Sequence, residues 1–306
     1  MDTDPDRWLR DRINGDFHQL HRIDEELYSG RTKYQSAQVV RTRDLGLCLV
    51  LDGKVQSSEV DEHIYHEALV QPAMIAHPRP ETIFIAGGGE GAALREALAL
   101  RTVKRAVMAE IDEEVTALSK KYLPFLSRGA FSDKRAEVNH VDAREYLEKS
   151  GEKYDVIIID LPDPIEKGPA YLLFTQEFYR IVLDRLSENG IIAVQAGSAS
   201  PTELLNLTAV HNTLKSVFPA TAVYTTYMQS FGGPWGFCLA SRGTDPALFS
   251  PAEVDGRIKE RGVGRLKFYD GVTHRGMFSL PRYVREALAK QKRIITDKKP
   301  LYLYGK

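Results

Sequence analysis

Between residues 82 and 195 the chain keeps one rhythm, in which a short apolar run, a turn and a helix-length segment follow each other. Strands are expected over 82–86, 105–109, 136–140, 154–159 and 190–195, with helices over 92–100, 113–122, 142–149 and 174–186. That alternation constrains the fold more than any other feature. It specifies an α/β architecture with a parallel, doubly wound sheet. A helix over 204–217 and strands over 221–227 and 237–240 follow.

The segment before it follows a different pattern. Residues 35–42 alternate loosely, and the apolar run 47–51 closes on Asp52-Gly53, a hairpin signal. A small antiparallel sheet is expected over the first 55 residues, with residues 1–15 as a polar, partly helical lead-in. Ser58 to Asp61 fits a capping box that opens a helix, and His77-Pro-Arg-Pro80 breaks it. The expected domains are residues 1–78, an N-terminal β-sheet unit with a linking helix, and 79–306, a Rossmann-like catalytic unit. A length of 306 residues is compatible with two domains at about 150 each.

Lys+Arg 41 against Asp+Glu 42 leaves a formal net charge of -1, which excludes a general nucleic-acid binder. Cys48 and Cys238 are too few for a disulfide framework or a zinc cage. The apolar runs are far shorter than the ~20 residues that cross a bilayer. The expectation is a soluble, cytoplasmic protein with no membrane partner, no nucleic-acid partner and no metal.

The glycine turn Gly87-Gly-Gly89-Glu90-Gly91 leads from strand to helix, where glycine lets the chain turn sharply and a ligand approach the backbone. Glu110 ends the next strand about 20 residues on, where an acid can take both ribose hydroxyls of a nucleotide. Glu90 argues against a dinucleotide. Two like charges 4–5 Å apart at an effective dielectric of 20 repel by about 3–4 kcal/mol. A sulfonium or ammonium ligand suits the turn better. Asp142 follows the third strand and can either accept an adenine amino group or cap the helix that starts at Ala143. Asp160 and Asp163 sit on the proline-stiffened turn Asp160-Leu-Pro-Asp163-Pro. With Glu90 and Glu110 they make a negative pocket that attracts polycations and accepts protons from amines. Asp61 and Tyr65, and Glu62 and His66, are each four apart and share a helix face.

Together these segments resemble the polyamine aminopropyltransferases, the spermidine and spermine synthase family. The similar stretches are Tyr34-Gln35, Leu51 through Gln56 to Glu67, Gly87 to Gly91 with Leu94-Arg-Glu96, Glu110-Ile-Asp112, Asp142-Ala143, Asp160 to Pro164, Gly168-Pro169-Ala170 and Gln195-Ala-Gly197. The resemblance implies a Rossmann-like, methyltransferase-type doubly wound sheet with a small N-terminal antiparallel β domain. It implies transfer of an aminopropyl group from decarboxylated S-adenosylmethionine, a co-substrate, to an amine, releasing methylthioadenosine, with no cofactor. It implies a donor site of Gln35, Gln56, His66, Gly87, Gly89, Glu90, Glu110, Asp142, Ala143 and Asp160, with Pro169 and Leu173 on a loop that closes over it. The acceptor would meet Tyr65, Asp160 and Asp163, with Glu90, Phe231 and Trp235 nearby. Asp160 would take the proton, helped by Tyr65 and the Leu161 carbonyl, because an alkylammonium with a pKa near 10.4 cannot attack at neutral pH. A homodimer or homotetramer through the N-terminal sheet is also implied.

Three departures bear on the acceptor. Glu90 stands where spermidine synthases usually have Asp. Gln229-Ser-Phe231-Gly-Gly-Pro-Trp235 replaces the usual Tyr-Pro-Ser-Gly, so that Phe231 falls near a tyrosine position. Ile165-Glu166-Lys167 lengthens the closing loop. These look more like thermospermine synthases and the triamine/agmatine aminopropyltransferases of thermophiles. Spermidine, giving thermospermine or spermine, is therefore the expected acceptor, with putrescine and agmatine as alternatives. Two rivals remain on residues alone: an S-adenosylmethionine methyltransferase on the same fold, disfavoured by Glu90, and a non-catalytic polyamine-binding protein, disfavoured by the complete set Asp160, Asp163 and Tyr65.

Overall fold

The computed structural model describes residues 7–14, 16–166, 168, 170–243, 245–264 and 266–303. Five strands, β1 (Trp8–Arg12), β2 (His18–Arg31), β3 (Ser36–Thr42), β4 (Gly46–Leu51) and β5 (Lys54–Ser58), pair antiparallel in chain order. Asp52 and Gly53 both take positive φ, 48° and 75°, the conformation a two-residue hairpin needs. Alternation then sorts the faces. Ala37, Val39, Leu49 and Leu51 pack on Ala92, Val115, Leu118 and Leu126 of the second unit, while Val40, Cys48, Val50 and Val55 pack with Leu9.

The described part of the expected lead-in, residues 7–14, is not helical. Its burial alternates as β1, with Leu9 and Asp11 inward and Trp8, Arg10 and Arg12 outward. The charged outer positions hide that period in the sequence.

A long buried helix, α1 (Glu62–Ala76), joins the two sheets. After it come β6 (Thr82–Gly87), α2 (Ala92–Leu98), β7 (Arg105–Ala109), α3 (Glu113–Tyr122), α4 (Pro124–Ser127), β8 (Ala136–Asn139), α5 (Ala143–Lys149) and β9 (Tyr154–Asp160). The chain continues with α6 (Gln176–Arg185), β10 (Leu186–Ser198), α7 (Leu205–Lys215), β11 (Ala220–Met228), β12 (Gly233–Ser241), α8 (Pro251–Glu260), α9 (Gly271–Phe278) and α10 (Arg282–Lys290). The second sheet runs β11-β12-β10-β9-β6-β7-β8. Strands β6 to β10 are parallel, and β12 enters antiparallel between β10 and β11. This is the doubly wound, methyltransferase-type arrangement. Helices α1, α2, α8 and α9 cover one face, and α5, α6, α7 and α10 the other. Strand order reverses between β6 and β9, so their carboxyl ends form the crevice where such sheets take ligands.

The capping box does not form. The helix starts at Glu62 and its N-cap Asp61 makes no side-chain cap; Ser58 Oγ accepts the Asp61 N–H at 3.4 Å and donates to Asp61 Oδ1 at 2.7 Å, so the reciprocal bond of a box is missing. The other oxygen, Oδ2, accepts the Ser230 N–H at 2.9 Å, so a tertiary contact claims the capping group. At its far end α1 is closed by Arg261 of the α8 terminus. That guanidinium, 5% exposed, donates to the carbonyls of Met74, Ile75, His77 and Pro78. Arg261→Met is therefore expected to lower stability by about 2–3 kcal/mol, seen as a lower thermal midpoint.

Candidate functional site

A cleft lies at the carboxyl ends of β6, β7 and β9, with one wall supplied by β1, β4 and β5. Gln35, Gln56, Tyr65, Gly87, Gly89, Glu90, Glu110, Asp142, Ala143, Asp160, Asp163, Leu173, Phe231 and Trp235 all line it. Sequence reasoning named every one of these. Lys167 and Pro169 of the closing loop lie outside the described residues; the neighbouring Gly168 and Ala170 line the cleft. His66 does not reach the cleft. It is fully buried behind Glu90.

The glycine turn fixes the floor. Gly87 has φ 81°, and a Cβ there would stand 2.2 Å from the Asp160 carbonyl oxygen. That oxygen accepts the Gly88 N–H at 2.9 Å, which ties the end of β6 to the end of β9. Beyond the turn the Glu110 carboxylate lies against Gly89, where a Cβ would come within 3.0 Å of it. Burial pushes the Glu110 carboxyl up to about 7. The Asp112 N–H, at 2.8 Å, pulls the other way, and the charges of Glu90, Asp112 and Asp160 add to the rise.

Asp160, at the tip of β9, is buried. Its Oδ1 accepts the Tyr65 hydroxyl at 2.8 Å, and its buried Oδ2 has no hydrogen-bond partner among the described residues. Burial and then the Glu90 charge raise its carboxyl to about 7, against the lowering effects of His66 and Tyr65. Burial and the Asp160 charge drive the Tyr65 phenol well above its ordinary value, so Tyr65 is a donor and not a base. Its ring meets Phe231 edge-on at 5.5 Å, and Phe231 meets Trp235 at 4.6 Å. The Leu161 carbonyl accepts from Gln195 Nε2 at 2.7 Å, which fixes its direction.

Glu90 sits between the cleft and His66. Burial opposes its ionisation, but the His66 hydrogen bond and charge outweigh burial and hold the carboxyl below its ordinary value. Burial pushes His66 down; hydrogen bonds to Glu62 and Glu90 overcome it and lift the imidazole to about 10. Ligand-type atoms of His66, Glu90 and Asp160 lie within 4.8 Å of one another. The trio places two carboxylates beside the imidazole, an arrangement that attracts a cation. Asp142 caps α5 through Oδ1, which accepts the Glu145 N–H at 2.8 Å, and also lines the cleft, so its two readings are compatible.

Several residues of the site escaped sequence reasoning. Asp112 gathers Thr32 Oγ1 at 2.6 Å and Gln35 Nε2 at 3.0 Å while capping α3, and so orients Gln35. Asp11, Lys54 and Glu203 line the far end beside Asp163. Asp112 carried a signal only as part of the Glu110-Ile-Asp112 stretch before α3. The other three converge through tertiary packing.

A glycine turn, a strand-end acid for a nucleoside, and carboxylates gathered on a cation-sized space define the class: enzymes that handle a nucleoside-linked cation at the switch point of the sheet. Comparison with known proteins fixes the family. Residues 62–247 match the spermine/spermidine synthase domain and residues 7–59 the spermidine synthase tetramerisation domain. The chain is 46% identical over 276 residues to a protein of Hyperthermus butylicus named polyamine aminopropyltransferase 2, covering 90% of each. It is 43% identical over 284 residues to the polyamine aminopropyltransferase of Saccharolobus solfataricus, covering 92% of this chain and 93% of that one. The spermidine synthase of Thermotoga maritima superposes with a TM-score of 0.83 at 31% identity, over 93% of this chain and 94% of the other. A spermidine synthase in complex with the transition state analogue AdoDATO does so at 0.84 and 33%, over 93% and 95%. The chain belongs to the spermine/spermidine synthase family and is an aminopropyltransferase of polyamine biosynthesis.

Gly87→Ala is expected to lose donor binding and to cost about 1–3 kcal/mol, because the added carbon meets backbone at a strained φ. Gly53→Ala, with φ 75° but nothing within 4 Å of the new carbon, is expected to cost only about 1 kcal/mol. Thermal denaturation and donor titration of the two variants make the comparison.

Proposed function

We propose that the protein moves the aminopropyl group of decarboxylated S-adenosylmethionine to a polyamine longer than putrescine, with spermidine as the preferred acceptor, giving thermospermine or spermine. The observation that carries this reading is the far end of the cleft. Beside Asp163 the same cleft is lined by Asp11, Lys54 and Glu203, which adds two carboxylates to Asp160 and Asp163 for further ammonium groups. Phe231 and Trp235 supply an apolar flank for methylene groups.

The donor's adenosine would lie along Glu110, Asp142, Ala143, Gln35, Gln56 and Leu173, with its ammonium at Glu90. The carboxylate of intact S-adenosylmethionine would be repelled there. The acceptor enters as an ammonium and gives one proton to Asp160 Oδ2, while Tyr65 holds Oδ1. The freed nitrogen lone pair forms a bond to the aminopropyl carbon next to sulfur. The C–S bond breaks, its electrons return to sulfur, and neutral methylthioadenosine leaves. The positive sulfur already activates the leaving group, so the step as proposed calls for no metal or cofactor.

A homodimer or homotetramer through the N-terminal sheet goes with this reading. The support is the match to a tetramerisation domain and the exposure of Trp8, Phe17 and Leu20 at 49%, 45% and 59%. A cytoplasmic location fits two buried thiols, Cys48 and Cys238, that form no disulfide. No helix among the described residues is long and apolar enough to cross a membrane.

The test is a product analysis with putrescine, agmatine, spermidine and spermine presented separately. Spermidine is expected to yield a tetraamine faster than putrescine yields spermidine; a preference for putrescine or agmatine would refute the acceptor reading. Asp160→Asn is expected to lower kcat about 10²–10⁴-fold while donor affinity is kept. With the Asp160 carboxyl near 7, the base is lost as pH falls, so kcat/KM should decline below about pH 7 and level off above it.

A further inference from the structure

Behind the cleft wall runs a line of ionised groups that reaches the cleft only at its last member, Glu90. Arg95 of α2 grips Glu62 of α1, with Nη2 to Oε2 at 2.8 Å and Nη1 to Oε1 at 3.3 Å. Arg128 Nη2 adds a contact at 3.5 Å. Glu62 Oε2 lies 3.3 Å from His66 Nδ1, one helical turn on, and that N–H also reaches the Glu62 carbonyl at 2.7 Å. On its other side His66 Nε2 donates to Glu90 Oε1 at 3.1 Å, and Ser57 Oγ of β5 donates to the same oxygen at 3.1 Å. Glu62 is 3% exposed and His66 is 0% exposed, so water does not screen the line.

We infer that Arg95 and Glu62 are positioning residues, which hold His66 as an imidazolium and through its charge keep Glu90 and Asp160 ionised for donor and acceptor. This rests on the reading of Asp160 as proton acceptor.

A buried imidazole alone is neutral, because burial disfavours the charged form. Two carboxylates in line reverse that, and only one of them, Glu90, belongs to the cleft. Arg95 keeps the other one ionised: burial opposes it, but His66 and Arg95 bring the Glu62 carboxyl down to about 2. The groups facing Asp160 are Tyr65 and His66 from α1, Glu90 from the glycine turn and Glu110 from β7. Of these, His66 carries the one positive charge. Glu90 faces His66, Ser57, Asp160, Glu110 and Tyr65. Arg95 also faces Glu96. The side-chain partners of Glu62 are His66, Arg95 and Arg128, so its contact route to Asp160 runs through His66.

If Glu62 loses its charge, His66 gives up its proton in the neutral range. The Glu90–Asp160 pair then takes up its first proton at higher pH. Either location ends turnover: a protonated Asp160 cannot accept the amine's proton, and a protonated Glu90 no longer holds the donor's ammonium.

The experiment compares wild type with Glu62→Gln, Glu62→Asp, Arg95→Met and His66→Asn. His66 is followed by nitrogen NMR titration of the unliganded enzyme, its signal assigned by its absence in His66→Asn. In wild type it should stay protonated to above about pH 9, and in Glu62→Gln it should be neutral by about pH 7. The acid limb of kcat/KM should move up by about 1–2 pH units in Glu62→Gln and in His66→Asn, with activity at pH 7 recovered at pH 9. Glu62→Asp should restore most of the wild-type profile, and Arg95→Met should shift it in the same direction by less. An unchanged His66 titration, or a loss of activity equal at every pH, would overturn the inference. If Asp160→Asn retains turnover, the base assignment fails, and the His66 titration still decides the charge line by itself.

Discussion

The hydrogen bond from the Gly88 N–H to the Asp160 carbonyl joins the ends of the two strands where sheet order reverses. It sets how far apart those strands finish, and so where the crevice floor lies. Gly87 gives the chain the left-handed φ it needs there and leaves the carbonyl room that any side chain would fill. Because the main chain of Asp160 is fixed by this bond and its side chain by Tyr65, the unpartnered Oδ2 has one place to be. Glu90 follows two residues after Gly88 and is carried to the same space. The geometry of the cleft is thus anchored to backbone, and strand pairing across β6 and β9 sets the positions of Asp160 and Glu90.

Charge within that frame is arranged by alternation. Cation, anion, cation and anion succeed each other from Arg95 through Glu62 and His66 to Glu90. A buried ion left without a partner is costly, so each group in the line depends on its neighbour. The line ends at the cleft with a carboxylate, and Asp160 stands beside it with the shared His66 as the cation that acts on it among the described residues. The excess of negative charge therefore falls on the ligand side.

Much of this was legible in the sequence, because it is local. The strand–turn–helix period, the glycine turn, Glu110 at a strand end and the Asp160–Asp163 turn each declare themselves within a few residues. What could not be read depended on partners far along the chain. Ser58 and Asp61 have the spacing of a capping box, but Ser230, some 170 residues away, takes the aspartate. β1 was hidden because its outward positions are Trp8, Arg10 and Arg12, and an inward aspartate, Asp11, breaks the apolar period. His66 shares a helix face with Glu62, as the spacing of four indicates. Only the fold places Arg95 behind that pair and Glu90 in front of it. Glu203 and Lys54 carry no local pattern at all; they meet because the loop after β10 and the start of β5 border one cavity.

That last meeting has a physical consequence for what the cleft can accept. Lys54 is the one ammonium among Asp11, Asp163 and Glu203; burial works against its charge while all three carboxylates favour it. Burial raises Glu203, and the Asp163 charge raises it further against Lys54. Asp11 Oδ1 is buried without a hydrogen-bond partner among the described residues. Carboxylates therefore stand at both ends of the cleft, Glu90 and Asp160 at one and Asp11, Asp163 and Glu203 with Lys54 at the other. Phe231 and Trp235 line the same cleft, so carboxylates and an apolar flank share one cavity, the two kinds of surface that a chain of ammonium and methylene groups meets.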